Sequence, residues 1–171
     1  PSGADQSLYL RPFMFAKEAF LGVRAAQKVA YYVIASPAGA YFSGGVKPVR
    51  IWLSEDYARA GKGGSGKAKT GGNYASSLLP QQEAYAQGCD QVCFLDDVSQ
   101  KNIEELGGMN LMVVDADGTV RTPRLTGTIL EGCTRSAIIR LLRESGRNVV
   151  EETISLQGLL QTSSRAESVR S

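Results

Sequence analysis

Six glycines and three lysines share one stretch, GKGGSGKAKTGG at residues 61–72. Glycine lets backbone N–H groups approach an anion without interference from a Cβ, so such a loop can cradle a phosphate. Gly61, Gly66 and Lys67 fit the nucleotide-binding pattern G-x-x-x-x-G-K-[ST]. Ala68 stands where the Mg²⁺-binding hydroxyl would be. One reading is therefore a non-catalytic phosphate- or nucleotide-binding module; another is that the lysines merely solvate a loop. Glu104 and Glu105 form an adjacent carboxylate pair. Cys133 and Thr134 open a helical pattern, where unsatisfied N–H groups and the positive dipole end favour a dianion. The same position lowers a thiol's pKa, so Cys133 can instead be reactive.

The chain contains no His, which removes Ser-His-Asp and Cys-His catalysis and His-based metal sites. Its three cysteines, Cys89, Cys93 and Cys133, fit neither a disulfide framework nor a zinc knuckle, so no metal site is expected and a reducing cytoplasm is the simpler setting. Nineteen basic and seventeen acidic residues are mixed along the chain; without a basic stripe, nucleic-acid binding is not expected. No apolar run reaches the roughly 18 residues of a membrane span. Residues 1–12 read as mid-chain material, and residues 160–171 as a polar tail or an interrupted continuation.

Alternating strands and helices must position these groups, which makes the class mixed α and β. Residues 29–36 predict a buried strand, and residues 15–23 are open between a short helix and a loop. The Pro-, Gly- and Ser-rich residues after it form a linker, and 49–53 begin a second unit. A helix is expected from Asn73, capped by it, with Tyr74, Leu78 and Tyr85 on one face and a kink at Pro80. Residues 91–95 predict a strand. Residues 111–114 and 119–121 predict a hairpin around Asp117-Gly118, and 134–145 a helix with Ala137, Ile138, Leu141 and Leu142 together.

KTGGNYASSLLPQQEA at 69–84, with YARAGKGGSGKA before it, resembles the cofactor-lysine region of the branched-chain amino-acid aminotransferases of pyridoxal-phosphate fold type IV. The resemblance continues through NIEELGGMNLMVV at 102–114 and TPRLTGTILEGCTRSAI at 122–138, and reaches back to YLRP at 9–12 and SPAGAYFSGGVKPV at 36–49. These segments keep the family's order and cover most of the chain.

The resemblance implies pyridoxal 5'-phosphate as cofactor and Lys69 as the catalytic lysine, which forms its Schiff base and shuttles the substrate proton. It places Glu105 against the pyridine nitrogen, with Glu104 a solvated neighbour, and Tyr74 on the phenolate oxygen. Arg59, Cys133 and Thr134 would hold the phosphate, and Ile129 and Leu130 would lie on the ring. Tyr9, Arg11 and Tyr41 would line the substrate pocket. The reaction implied is ping-pong transfer of the amino group of Leu, Ile or Val to 2-oxoglutarate, by a cytoplasmic homodimer serving branched-chain amino-acid biosynthesis or degradation.

In that frame residues 1–38 end a small domain, 39–48 are the linker, and 49–171 are most of a large cofactor-binding domain. Gly108 stands where some family members carry a hydroxyl. The family's longer N-terminal portion and a Gly-Thr-Ala type turn beyond residue 171 are expected outside this stretch, which matches roughly the middle half of a member.

Overall fold

The computed structural model describes residues 6–39 and 47–161. The chain divides into two compact units between Pro48 and Val49.

The first unit is a two-stranded antiparallel ribbon, β1 (Ser7–Ala16) and β2 (Val29–Ala38), in register from Ser7 opposite Ala38 to Ala16 opposite Val29. Residues 15–23 resolve into the end of β1 and an irregular turn, closed by the Lys17 N–H on the Lys28 carbonyl and by the Arg24–Glu18 ion pair. Strand alternation places Tyr9, Arg11, Phe13 and Phe15 on one face. There Phe13, Phe15 and Tyr32 stack, and the Arg11 guanidinium lies 5.0 Å from the Tyr9 ring centre. The predicted burial of residues 29–36 is not seen, because a two-stranded ribbon has no layer to cover either face.

The second unit contains two strand–helix–strand crossovers. In the first, β3 (Ile51–Ser54) leads through the glycine-rich loop and α1 (Gly71–Ala86) to β4 (Gln91–Leu95), which pairs parallel with β3. The sheet continues through antiparallel β5 (Asn102–Leu106) to the short edge strand β9 (Ile154–Ser155). In the second crossover the hairpin β6 (Val113–Val114) and β7 (Val120–Pro123) is followed by α2 (Cys133–Glu144) and β8 (Val149–Glu152), parallel to β7. The expected turn is present, with Gly118 at φ 84°.

β4 is apolar and buried from Val92 to Leu95 because both of its faces are covered. Val92 and Phe94 pack with Ala84 of α1, backed by Trp52 and Tyr57. Cys93 and Leu95 point the other way, into a cluster with Ile103, Leu106 and Ile154.

Both helices bury faces other than those expected. α1 starts at Gly71 with Thr70 as its N-cap, and runs through Pro80. Its buried residues are Asn73, Ser77, Pro80 and Ala84, whereas Leu78 and Tyr85 are exposed. Small side chains let the helix sit close to the sheet and the loop. In α2 the buried residues are Arg135 and Ile139, with Leu142 half-buried and Ala137, Ile138 and Leu141 exposed. Arg135 is held there by the Pro123 carbonyl and Glu151.

Candidate functional site

The glycine-rich loop is folded back on itself. The Gly64 N–H donates to the Gly61 carbonyl, Ala68 to Ser65, and Lys67 to Gly127. Amides turned onto carbonyls cannot also ring an anion, so the nucleotide-cradle reading of residues 61–67 is not supported. Gly66 is buried so tightly that a Cβ there would fall on the Thr128 backbone.

Asn73 ties the loop to α1. Its amide donates to the carbonyls of Ser65 and Ala68, both at 2.8 Å, and its oxygen accepts the Ser65 hydroxyl. Sequence reading made Asn73 the helix cap; the structure spends its side chain on the loop instead. The clamp fixes the backbone on both sides of Lys69. The Lys69 Nζ then reaches the Tyr74 Oη at 2.6 Å, from the exit of the loop to the first turn of the helix. Lys69 is exposed, so its amine is open to a reaction partner.

A second cluster is buried. Glu105 on β5 accepts the Leu130 N–H at 2.8 Å and the Asn110 amide at 3.2 Å. Asn110 also donates to the Leu130 carbonyl, and its side-chain oxygen fills the space that a Cβ on Gly132 would take. The Arg59 Nη2 lies 2.6 Å from Glu105 Oε1 and donates to the carbonyls of Thr128 at 2.6 Å and Gly66 at 2.8 Å. Burial pushes the Glu105 carboxyl up to about 7, against the opposing pull of the Leu130 N–H and Arg59. A phosphate role was expected for Arg59; the side chain is 5% exposed and its Nη2 is engaged by three protein oxygens.

Glu104 is not the solvated neighbour that was expected. It is buried beside Glu105, takes a short hydrogen bond from the Thr128 hydroxyl, and is held above the usual carboxylate range by burial. Successive residues of a strand point to opposite faces, but in β5 residues from Ile103 to Leu106 are all buried, so both faces are covered. Asn110 and Thr128 were not picked out from the sequence, and Glu104 was read as solvated. A charged pair within a short stretch ending in Leu-Gly-Gly gave no periodic signal for an interior strand.

The remaining expected positions lie as follows. Ile129 is buried and Leu130 half-buried, on the segment leading into α2. Cys133 and Thr134 are the exposed first residues of α2, whose start no side chain caps and whose first turn has no acidic residue. Four-residue hydrogen bonding begins only with the Ser136 N–H on Gly132, which leaves the earlier N–H groups without an intrahelical partner. All of these belong to the second unit, whereas Tyr9 and Arg11 lie on β1 in the first. Tyr41 lies outside the described residues.

An outward-facing amine beside a phenol, a buried carboxylate and a bare helix N-terminus suit an aromatic aldehyde bearing a ring nitrogen and a phosphate. The donor set fits pyridoxal phosphate.

The family model for class IV amino-transferases matches residues 2–166. The chain is 59% identical over 154 residues to a probable branched-chain-amino-acid aminotransferase of Streptomyces coelicolor, covering 90% of this chain and 42% of that protein. The branched-chain amino acid aminotransferase of Escherichia coli has the same fold, with a TM-score of 0.79 at 34% identity over 89% of this chain and 50% of that one. A T.th. branched-chain amino acid aminotransferase with pyridoxamine 5'-phosphate gives a TM-score of 0.76 at 30% identity, covering 88% and 49%. The chain thus spans about half the length of the proteins it matches.

Proposed function

The chain belongs to the class IV aminotransferases, and from that premise we propose that it carries the cofactor lysine of a branched-chain amino-acid transaminase. The activity transfers the amino group of Leu, Ile or Val to 2-oxoglutarate in two half-reactions, the first releasing the branched-chain 2-oxo acid and the second glutamate. The single observation that carries this reading is the Lys69 amine held 2.6 Å from the Tyr74 hydroxyl by a loop clamped onto α1.

Pyridoxal phosphate, when bound, supplies an electrophilic aldehyde and an electron-withdrawing ring. Lys69 Nζ holds that aldehyde carbon and moves the proton released at the substrate Cα. Tyr74 Oη orients the lysine and donates toward a phenolate oxygen. Glu105, ionised, accepts from a protonated pyridine nitrogen, which keeps the ring electron-poor. The free N–H groups at Cys133 and Thr134 suit the phosphate, because the helix dipole adds to their attraction. Ile129 and Leu130 exclude water from one side of the ring. Tyr9, Arg11 and Tyr41 are proposed on sequence resemblance alone, as aromatic groups and a cation that would suit an apolar side chain in one half-reaction and the glutamate carboxylate in the other. A cytoplasmic homodimer is part of the same proposal. No helix among the described residues is long and apolar enough to cross a membrane.

Pyridoxal phosphate treatment, borohydride reduction and peptide mapping test the proposal. A stoichiometric label confined to the Lys69 peptide is expected. Labels scattered over several lysines of the folded protein would remove it.

A further inference from the structure

We infer that Arg59 is a positioning residue for Glu105, fixing the charge and aim of that carboxylate, and is not a ligand of the cofactor phosphate. The inference rests on the proposed pyridoxal-phosphate reading and deepens it. The Arg59 Nη2 donates to the Thr128 and Gly66 carbonyls and stands 2.6 Å from Glu105 Oε1, in a side chain 5% exposed. An –NH₂ has two hydrogens, so Nη2 has nothing left for a phosphate, and of the two terminal nitrogens only Nη1 keeps donors, in a side chain 5% exposed. Arg59 Nε has no hydrogen-bond partner among the described residues, and it is itself buried where an anion from solvent does not reach.

The surroundings explain why a cation is needed here. Glu104 and Glu105 are consecutive and both buried, and a charge on Glu104 raises the cost of ionising Glu105. Facing Glu105 are the Leu130 N–H, the Asn110 amide and Arg59, and Arg59 is the one formal positive charge in contact among the described residues. Burial drives Glu105 toward the neutral acid, and with a midpoint of about 7 its ionisation at neutral pH depends on whatever opposes that drive. A neutral acid would not keep a ring nitrogen protonated. The two carbonyl contacts hold the guanidinium still, and through Gly66 they tie Glu105 to the loop that presents Lys69.

The test compares affinities for pyridoxal 5'-phosphate and for pyridoxal, which lacks the phosphate, in the full-length protein. Variants are Arg59→Lys, Arg59→Met and Arg59→Met/Glu105→Gln. The ratio of the two affinities isolates the phosphate, and losing a charged contact to it costs about 10- to 100-fold. That ratio is expected to stay at the wild-type value in every variant. The pH midpoint of the bound cofactor's visible absorbance should rise by about one unit or more in Arg59→Met and return toward wild type in Arg59→Lys. A tenfold fall in the ratio, or a midpoint unmoved in Arg59→Met, overturns the inference. Should Arg59→Met not fold, the double variant decides by the ratio, since it buries no unpaired charge. Failure of the wild type to bind either compound would instead sink the proposed function.

Discussion

Lys62, Lys67 and Lys69 lie within eight residues of one another, and chemistry separates them through a single neighbour. Lys69 meets a phenol at 2.6 Å, and the backbone on either side of it is pinned by Asn73. The Lys62 and Lys67 amides serve the loop itself, donating to the Asp97 carboxylate and the Gly127 carbonyl. Replacing Lys69 by Ala should lower transamination by at least about 10²- to 10⁴-fold, the usual contribution of a positioned proton carrier. Lys62→Ala and Lys67→Ala should stay within about threefold of wild type, as exposed substitutions away from a reacting group do. Rates of 2-oxo acid formation in the full-length protein decide this, with circular dichroism to show that each variant folds. Equal losses in all three would mean that the loop's charge matters, not one amine. Tyr74→Phe removes one hydrogen bond and keeps the ring, so a loss of about 5- to 10-fold is expected in the same assay.

The glycine-rich loop works as an element because Gly66 lets two backbones touch. A Cβ at Gly66 would overlap the Thr128 backbone, whereas one at Gly71 meets nothing within 4 Å. Gly66→Ala should therefore destabilise the chain by about 1–3 kcal/mol, like other overpacked sites. Gly71→Ala should be neutral or stabilising by up to about 1 kcal/mol, because Gly in a helix carries an entropic cost. Urea midpoints of the two variants provide the comparison; a Gly66→Ala midpoint at the wild-type value would show that the contact yields freely. The loop, β4 and the Asp117-Gly118 turn were legible in the sequence, because each announces itself locally by composition, an apolar run or a left-handed glycine. The buried faces of the helices were not. Periodicity finds apolar stripes, and α1 instead buries Asn73, Ser77, Pro80 and Ala84, chosen for size and hydrogen bonds. The lysine and its phenol were identified by resemblance and stand together here, while the partner of Arg59 was hidden. A guanidinium reads the same in a sequence whether its anion is a phosphate or a Glu in a distant strand.

Across the whole chain, buried carboxylates give stability an unusual pH dependence. Glu104 and Glu105 are held above the ordinary carboxylate range by burial, Glu105 at about 7. Burial also lifts Asp96, but the N–H groups of Asn102, Ser99 and Lys101 outweigh it and leave that carboxyl low; Arg121 holds Asp115 low. The signs oppose one another. A lowered group contributes stability above its unfolded pKa that is lost as pH falls. A raised group contributes stability that is complete below its unfolded pKa near 4.5 and is lost as pH rises through its folded value. Between about pH 4.5 and 7 the folded chain binds more protons than the unfolded one, so stability must fall with rising pH there. No His is present to titrate in that window. A difference of one proton corresponds to about 1.4 kcal/mol per pH unit, which bounds the slope that Glu105 alone can cause. Urea midpoints of the cofactor-free chain, taken from pH 5 to 8, should decline, and Glu105→Gln should flatten that decline, since an amide has no proton to lose. An unchanged slope in Glu105→Gln would place the titration on Glu104 instead, and Glu104→Gln would then be the variant that flattens it.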